Sequence, residues 1–295
     1  MTALILLAHG SRHDQTGSVL DGVVKQVRQS LPSPSCGGPS EVRLAWLDLD
    51  EPSLDTICAE LAASGERSAL AVPLLFTNAF HARIDVPAQV SECDAHGIDV
   101  TVTEGLGLGD GTRRAVVRRI VEAAQEANFS GPNDALIMAV GSSDVDANQA
   151  VHEFAAGLDS MFPGQVTAAF VVGPEQVKGA AAVEAARGRA AMRGRDLVVV
   201  PLFTAPGLLW DKVTGGLDGV IGVDGAGADL SASEEPAAPG GRVAFGETLG
   251  SLLVPIVCCR WDSRDCRGEW STRATQGSRS DARPGYLSAE EGTAA

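Results

Sequence analysis

The chain contains a second copy of its own pattern, and that repeat limits what it can fold into more than any other feature. Leu6-Leu7-Ala8-His9-Gly10-Ser11 aligns with Ile137-Met138-Ala139-Val140-Gly141-Ser142 at an offset of 131 residues. Ala45-Trp46 aligns with Ala169-Phe170 at an offset of 124, and Val72-Pro73-Leu74 with Val200-Pro201-Leu202 at 128. Drift this small is a change of loop length. Within each copy, continuous apolar runs alternate with helical patterns, the grammar of βαβ units around a parallel sheet covered on both faces. Strands are predicted at residues 3–8, 42–47, 68–75 and 98–103, with helices at 16–31, 53–63, 84–95 and 111–127. The second copy predicts strands at 135–140, 166–172 and 196–202, with helices at 146–160, 175–192 and 207–217.

The expected fold is therefore α/β, with two tandem domains, each a parallel four-stranded sheet flanked by helices. Residues 1–130 form the first and 131–257 the second. Gly105-Leu106-Gly107 finds its partner in Thr248-Leu249-Gly250 only after an insertion, residues 222–241, that holds five Gly, five Ala, two Pro and four acidic residues. Such a stretch cannot bury apolar surface and is expected to be a mobile loop. Beyond Val257 the hydrophobic periodicity vanishes, and residues 258–295 are expected to be disordered.

Charge narrows the partners. Acidic residues outnumber basic ones 38 to 23, a net charge of −15. No Lys/Arg cluster of the kind that binds phosphates stands out, so neither nucleic acid nor an anionic membrane surface is expected as the main partner. The only arginine run, Arg113, Arg114, Arg118 and Arg119, sits on a predicted helix beside acidic residues and reads as a solvated face. Eight Phe, four Trp and one Tyr are too few for a base-stacking platform. The apolar start is too short to span a membrane and lacks a basic leader, so the expected setting is the cytoplasm. The six cysteines show no CxxC pair, and reduced thiols are expected. Cys258, Cys259 and Cys266 lack the spacing of a metal or iron-sulfur site.

The candidate chemistry lies at the strand ends. His9 follows the first strand and His81 lies a few residues beyond the third. With the common strand order 2-1-3-4 these strands are neighbours, and their carboxyl ends form the switch point where ligands bind. Two imidazoles facing one crevice suit a divalent transition metal, and two ligands leave most of its coordination sphere open, as transient binding requires. Asp48 ends the second strand on the same edge, where a carboxylate can ligate, orient an imidazole or take a proton. Glu51, Pro52 and Ser53 also read as a helix start, with Asp50 assisting the cap. Glu104, ending the fourth strand, has a weaker claim of the same kind. Gly105 to Gly111 fails as a dinucleotide fingerprint, since Asp110 or Thr112 stands where the third glycine belongs. No strand-Gly-x-Ser-x-Gly-helix elbow supports a hydrolase. His13, His96 and His152 receive no role. In the second copy the counterparts of His9, Asp48 and His81 are Val140, Val172 and Leu209, so one site per chain is expected.

Three stretches together resemble the class II chelatases that act on sirohydrochlorin: Leu7-Ala8-His9-Gly10-Ser11-Arg12, Ala45-Trp46-Leu47-Asp48-Leu49 leading to Glu51-Pro52-Ser53-Leu54, and Val72-Pro73-Leu74-Leu75-Phe76 running through His81-Ala82-Arg83-Ile84-Asp85. The resemblance covers about residues 3 to 257. It implies a lyase that inserts Fe²⁺ or Co²⁺ into a tetrapyrrole, on the way to sirohaem or cobalamin, in a cleft between two chelatase-like domains. The metal is a substrate and no organic cofactor is implied. The family's two metal-binding histidines fall on His9 and His81, and its acidic position on Asp48, where Glu is more usual. Ser11, Arg12 and Arg83 are the nearest donors for the carboxylates of a sirohydrochlorin-type partner. A monomer is expected, since the fusion of two halves removes one reason to dimerise. The alternative is a non-catalytic carrier of metal or tetrapyrrole.

Overall fold

The computed structural model describes residues 2–77, 80–215 and 241–263, and for residues 80–85 the backbone alone. The insertion expected at 222–241, except for Gly241, and the tail from 264 onward lie outside the described residues. In the first half the order is β1 (Thr2–Ala8), α1 (Gln15–Ser30), β2 (Val42–Trp46), α2 (Leu54–Ala63), β3 (Ser68–Pro73), α3 (Phe80–Cys93), β4 (Asp99–Val102) and α4 (Asp110–Glu126). The second half repeats it with β5 (Asn133–Ala139), α5 (Val145–Ala156), β6 (Val166–Phe170), α6 (Gly179–Met192), β7 (Asp196–Pro201), α7 (Leu208–Thr214), β8 (Val243–Phe245) and α8 (Val254–Asp262).

Each half holds one parallel four-stranded sheet, ordered β2-β1-β3-β4 and β6-β5-β7-β8. The duplication extends to the register. Ala8 pairs with Trp46 and Leu7 with Pro73, while Ala139 pairs with Phe170 and Met138 with Pro201. These are the residues that the sequence repeat aligns, so the two sheets are built from the same pairing scheme.

The central strands are buried on both faces, which is why they read as continuous apolar runs. Along β1, alternate residues serve different cores. Ala3, Ile5 and Leu7 pack with Leu54, Ile57 and Cys58 of α2 and Val86 and Val90 of α3. Leu4, Leu6 and Ala8 join a larger cluster that also takes Ala135, Ile137 and Ala139 of β5. One core therefore runs through both halves and fixes their strand ends relative to one another.

Three expectations are corrected here. Disorder was expected from residue 258, but α8 continues to Asp262, its Trp261 only 2% exposed and donating its indole N–H to the Gly37 carbonyl at 3.3 Å. Val254, Ile256, Val257 and Trp261 form one apolar stripe, too short to register above the polar composition that follows. Cys58 and Cys93 were expected as thiols and are joined in a disulfide. They lie on α2 and α3, 35 residues apart in sequence, with Cα atoms 5.6 Å apart in the packed interface between those helices. Arg119 is not on a solvated face. Its guanidinium reaches Glu122 on its own helix and crosses to Glu247 and the Thr248 carbonyl of the second half.

Candidate active site

The register that pairs Ala8 with Trp46 brings the ends of β1 and β2 level. The chain then passes so closely that a Cβ on Gly10 would overlap the Asp48 carbonyl oxygen. Only glycine allows that crossing. Gly141 meets the Val172 carbonyl in the same way in the second half, so the crossing belongs to the repeated fold and not to the site alone.

What distinguishes the first half is the polar chemistry at the crossing. The Asp48 carboxylate accepts the Gly10 amide at 2.9 Å, and the same oxygen stands 3.4 Å from His9 Nδ1. Asp50 accepts the Ser11 amide at 2.7 Å. Between the two aspartates Leu49 adopts a left-handed backbone, φ 59°, with its side chain 66% exposed. A left-handed leucine is costly, and here it turns Asp48 and Asp50 back onto the same loop. The side chains of His9 and Asp48 are 37% and 49% exposed, so the pair faces the solvent-filled edge. An imidazole held through Nδ1 has its ring orientation set by the carboxylate, the usual support for a metal-binding histidine.

The helix start expected at Glu51-Pro52-Ser53 is present, but Asp50 does not assist the cap. Ser53 caps α2, its hydroxyl accepting the Thr56 amide at 3.2 Å, and Glu51 accepts the Ser53 amide at 2.8 Å. Glu104 is engaged elsewhere: Arg260 of α8 approaches its carboxylate at 3.4 Å and donates to the Gly105 carbonyl at 3.1 Å.

His81 and Arg83 fall in the first turn of α3, after β3, the strand beside β1. Their side chains lie outside the described residues. Ser11 is half-buried, and Arg12 is exposed, with no ion pair among the described residues. Both line a hollow of about 690 Å³ along with His13, Arg28, Trp46 and Asp50. The hollow runs along α1 and β2 and carries both signs of charge, and His9 and Asp48 are not among the residues that line it. Among the described residues no three His, Cys, Asp or Glu side chains converge into a metal-holding group.

On the second sheet the same edge is aliphatic. Val140 and Val172 are 40% and 41% exposed, and Leu209 lies in the first turn of α7. Sequence reasoning missed His13, whose Nε2 lies 3.3 Å from Asp211 Oδ2 on α7. It also missed Thr16, which donates to the Pro206 carbonyl at 2.7 Å. No local pattern announces either contact, because the partners are almost two hundred residues apart.

The CbiX family model matches residues 3–123 and again 134–252, one copy on each half. The chain belongs to the CbiX family. This places it among the metal chelatases. The sirohydrochlorin cobaltochelatase of Sulfolobus acidocaldarius is 23% identical over 126 residues, 43% of this chain and 89% of that protein. The sirohydrochlorin ferrochelatase of Priestia megaterium is 25% identical over 157 residues, 52% of this chain and 56% of that protein. In fold the chain is similar to SirB from Bacillus subtilis, solved with Fe³⁺, at a TM-score of 0.65 and 18% identity, covering 89% of this chain and 94% of that one. It is also similar to a CbiX described as the terminal enzyme for siroheme biosynthesis in denitrifying bacteria, at a TM-score of 0.57 and 15% identity, covering 88% and 98%. Tandem parallel sheets are thus the CbiX architecture seen here. No helix among the described residues is long and apolar enough to cross a membrane.

Proposed function

We propose that this CbiX protein is a sirohydrochlorin chelatase that inserts a divalent metal, Fe²⁺ or Co²⁺, into the tetrapyrrole, with His9 and His81 as its metal ligands. The observation that carries this reading is the Asp48–His9 pair beside Gly10, at the end of the strand that neighbours β3. It supplies an imidazole of fixed orientation next to a carboxylate, on an open edge.

The reaction exchanges two pyrrole N–H protons for one divalent ion, so the protein must present a partly desolvated metal and accept protons. His9 and His81 hold the ion through neutral nitrogens, leaving the rest of its coordination sphere for the macrocycle nitrogens. Asp48 keeps the His9 ring aimed, and His9 and His81, as the ion leaves them, or Asp48 take the released protons. Incomplete protein ligation suits delivery, since a fully caged ion would not be given up. Ser11, Arg12 and Arg83 are assigned to the carboxylates of the substrate, Arg12 by a charge-assisted hydrogen bond. Residues 1–130 and 131–257 are taken as the two chelatase-like units, the second forming one wall of the cleft. The protein is read as a cytoplasmic monomer.

The test is the spectral change of sirohydrochlorin with Fe²⁺ under anaerobic conditions and, in parallel, with Co²⁺. The wild-type protein is expected to accelerate it, and the His9→Ala/His81→Ala double variant to fall to the uncatalysed rate. A double variant at the wild-type rate removes the site assignment. Tight binding of metal or tetrapyrrole without turnover identifies a carrier instead.

A further inference from the structure

We propose that His13 and Asp211 form a clasp between the two halves that positions the Ser11–Arg12 loop for the substrate, a role resting on the chelatase reading above. The loop between β1 and α1 holds two of the three residues assigned to the substrate carboxylates. Its far end is tied to the second half. His13 Nε2 lies 3.3 Å from Asp211 Oδ2, Thr16 Oγ1 donates to the Pro206 carbonyl at 2.7 Å, and a Cβ on Gly207 would stand 3.8 Å from Ser11 Oγ.

The imidazole is set for this contact from its other side. The Gln15 amide donates to His13 Nδ1 at 3.2 Å, which fixes the ring with Nε2 as the nitrogen beside the Asp211 carboxylate. The His13 amide in turn donates to Ser11 Oγ at 3.2 Å, which passes the constraint directly to a substrate-binding candidate. The His13 side chain is 18% exposed.

Asp211 is carried by a firm element. It follows Trp210, which is 8% exposed and packs edge-on against Phe245 with ring centroids 5.5 Å apart. Its helix, α7, is the repeat counterpart of α3, the helix that bears His81. The second half has aliphatic residues where the first has candidate ligands, and this helix contributes a carboxylate that steadies the loop of the first half.

The test uses the full-length protein and four variants. Asp211→Ala removes the partner carboxylate. Asp211→Asn keeps an acceptor oxygen. His13→Ala removes the ring, and His13→Asn restores a local acceptor for the Gln15 amide without reaching Asp211. In chelation assays, Asp211→Ala, His13→Ala and His13→Asn are expected to raise KM for the tetrapyrrole about two- to fivefold with kcat unchanged, the scale of one partly exposed polar contact. Asp211→Asn stays near wild type. The double variant His13→Ala/Asp211→Ala is expected to be no worse than either single change. Amide hydrogen exchange read on residues 10–16 is expected to quicken in Asp211→Ala and to return toward wild type in Asp211→Asn. Unchanged exchange in Asp211→Ala overturns the clasp, as does an unchanged KM in both alanine variants or an additive double variant. If the wild-type protein shows no chelation, the functional reading fails, and the exchange measurement decides the clasp by itself.

Discussion

Asp48 Oδ1 stands 3.4 Å from His9 Nδ1 and accepts the Gly10 amide at 2.9 Å, so one carboxylate oxygen holds both the imidazole and the backbone beside it. The second half has neither partner: Val140 follows β5 where His9 follows β1, and Val172 follows β6 where Asp48 follows β2. The backbone crossing is common to both halves, and the polar triangle is not. That difference is what supports placing the proposed chemistry in the first half.

In the proposed site Asp48 acts on His9 through orientation, so its removal should weaken metal binding without abolishing it. Asp48→Ala is expected to lower metal affinity or chelation rate about 10- to 100-fold, the range seen when the partner of a metal-binding histidine is lost. Asp48→Asn, which keeps an oxygen facing His9, should lose less. Equilibrium metal titration of the apo-protein, run beside steady-state chelation, separates the two. Equal losses in Ala and Asn would mean that the negative charge matters more than the aim of the ring.

Gly10→Ala should damage fold and site together. The new Cβ meets the backbone of Asp48, which cannot swing aside as a side chain can. An overpacking cost of about 1–3 kcal/mol is expected in chemical denaturation, along with loss of chelation as the Asp48 loop separates from His9. Gly109→Ala is the control, since a Cβ there meets nothing within 4 Å. Equal stability of the two variants would show that the crossing is looser than the geometry implies.

The parallel strands and their order were legible because β1, β3, β5 and β7 are buried on both faces and leave unbroken apolar runs. The place of His9 followed from strand order alone. Asp48 beside His9 was foreseeable as one of several options, and it took the left-handed turn at Leu49 to choose among them. Such a turn leaves no mark in sequence when the residue is not glycine. Asp50 reads as an assistant to the cap for the same reason, since an aspartate three residues before the capping serine sits beside a helix start, whereas it is folded back onto Ser11. His13–Asp211 and Cys58–Cys93 were invisible, because tertiary packing brings them together and no short-range periodicity encodes it.

The Cys58–Cys93 bond closes a 35-residue loop and ties the end of α3, the helix that bears His81, to α2. Loop-closure entropy predicts a contribution of about 2–4 kcal/mol. Non-reducing peptide mapping should recover the two cysteines as one cross-linked peptide, and dithiothreitol should lower the denaturation midpoint. The Cys58→Ala/Cys93→Ala variant should start at the lower midpoint and show no further response. An equal response to dithiothreitol in that variant would place the effect at other cysteines.

The acid limb of stability should depend on Asp134, which is 2% exposed at the start of the second half's first strand. Burial pushes its carboxyl up, but the hydrogen bonds from Arg193, with those from the Gln165 amide and Arg195, outweigh it and hold the group below the usual carboxylate range. A carboxylate with a depressed pKa in the folded state stabilises above its unfolded pKa, near 3.9, and that contribution is lost as pH falls through the folded value. Asp134→Asn is therefore expected to be less stable than wild type at pH 7, by about 1–3 kcal/mol for lost charge-assisted bonds. The difference should persist down to about pH 4 and shrink below it. Denaturant midpoints measured from neutral pH into the acid range check this. A gap that stays constant through the acid limb would mean that the shape of the side chain, and not its charge, is what Arg193 and Arg195 require.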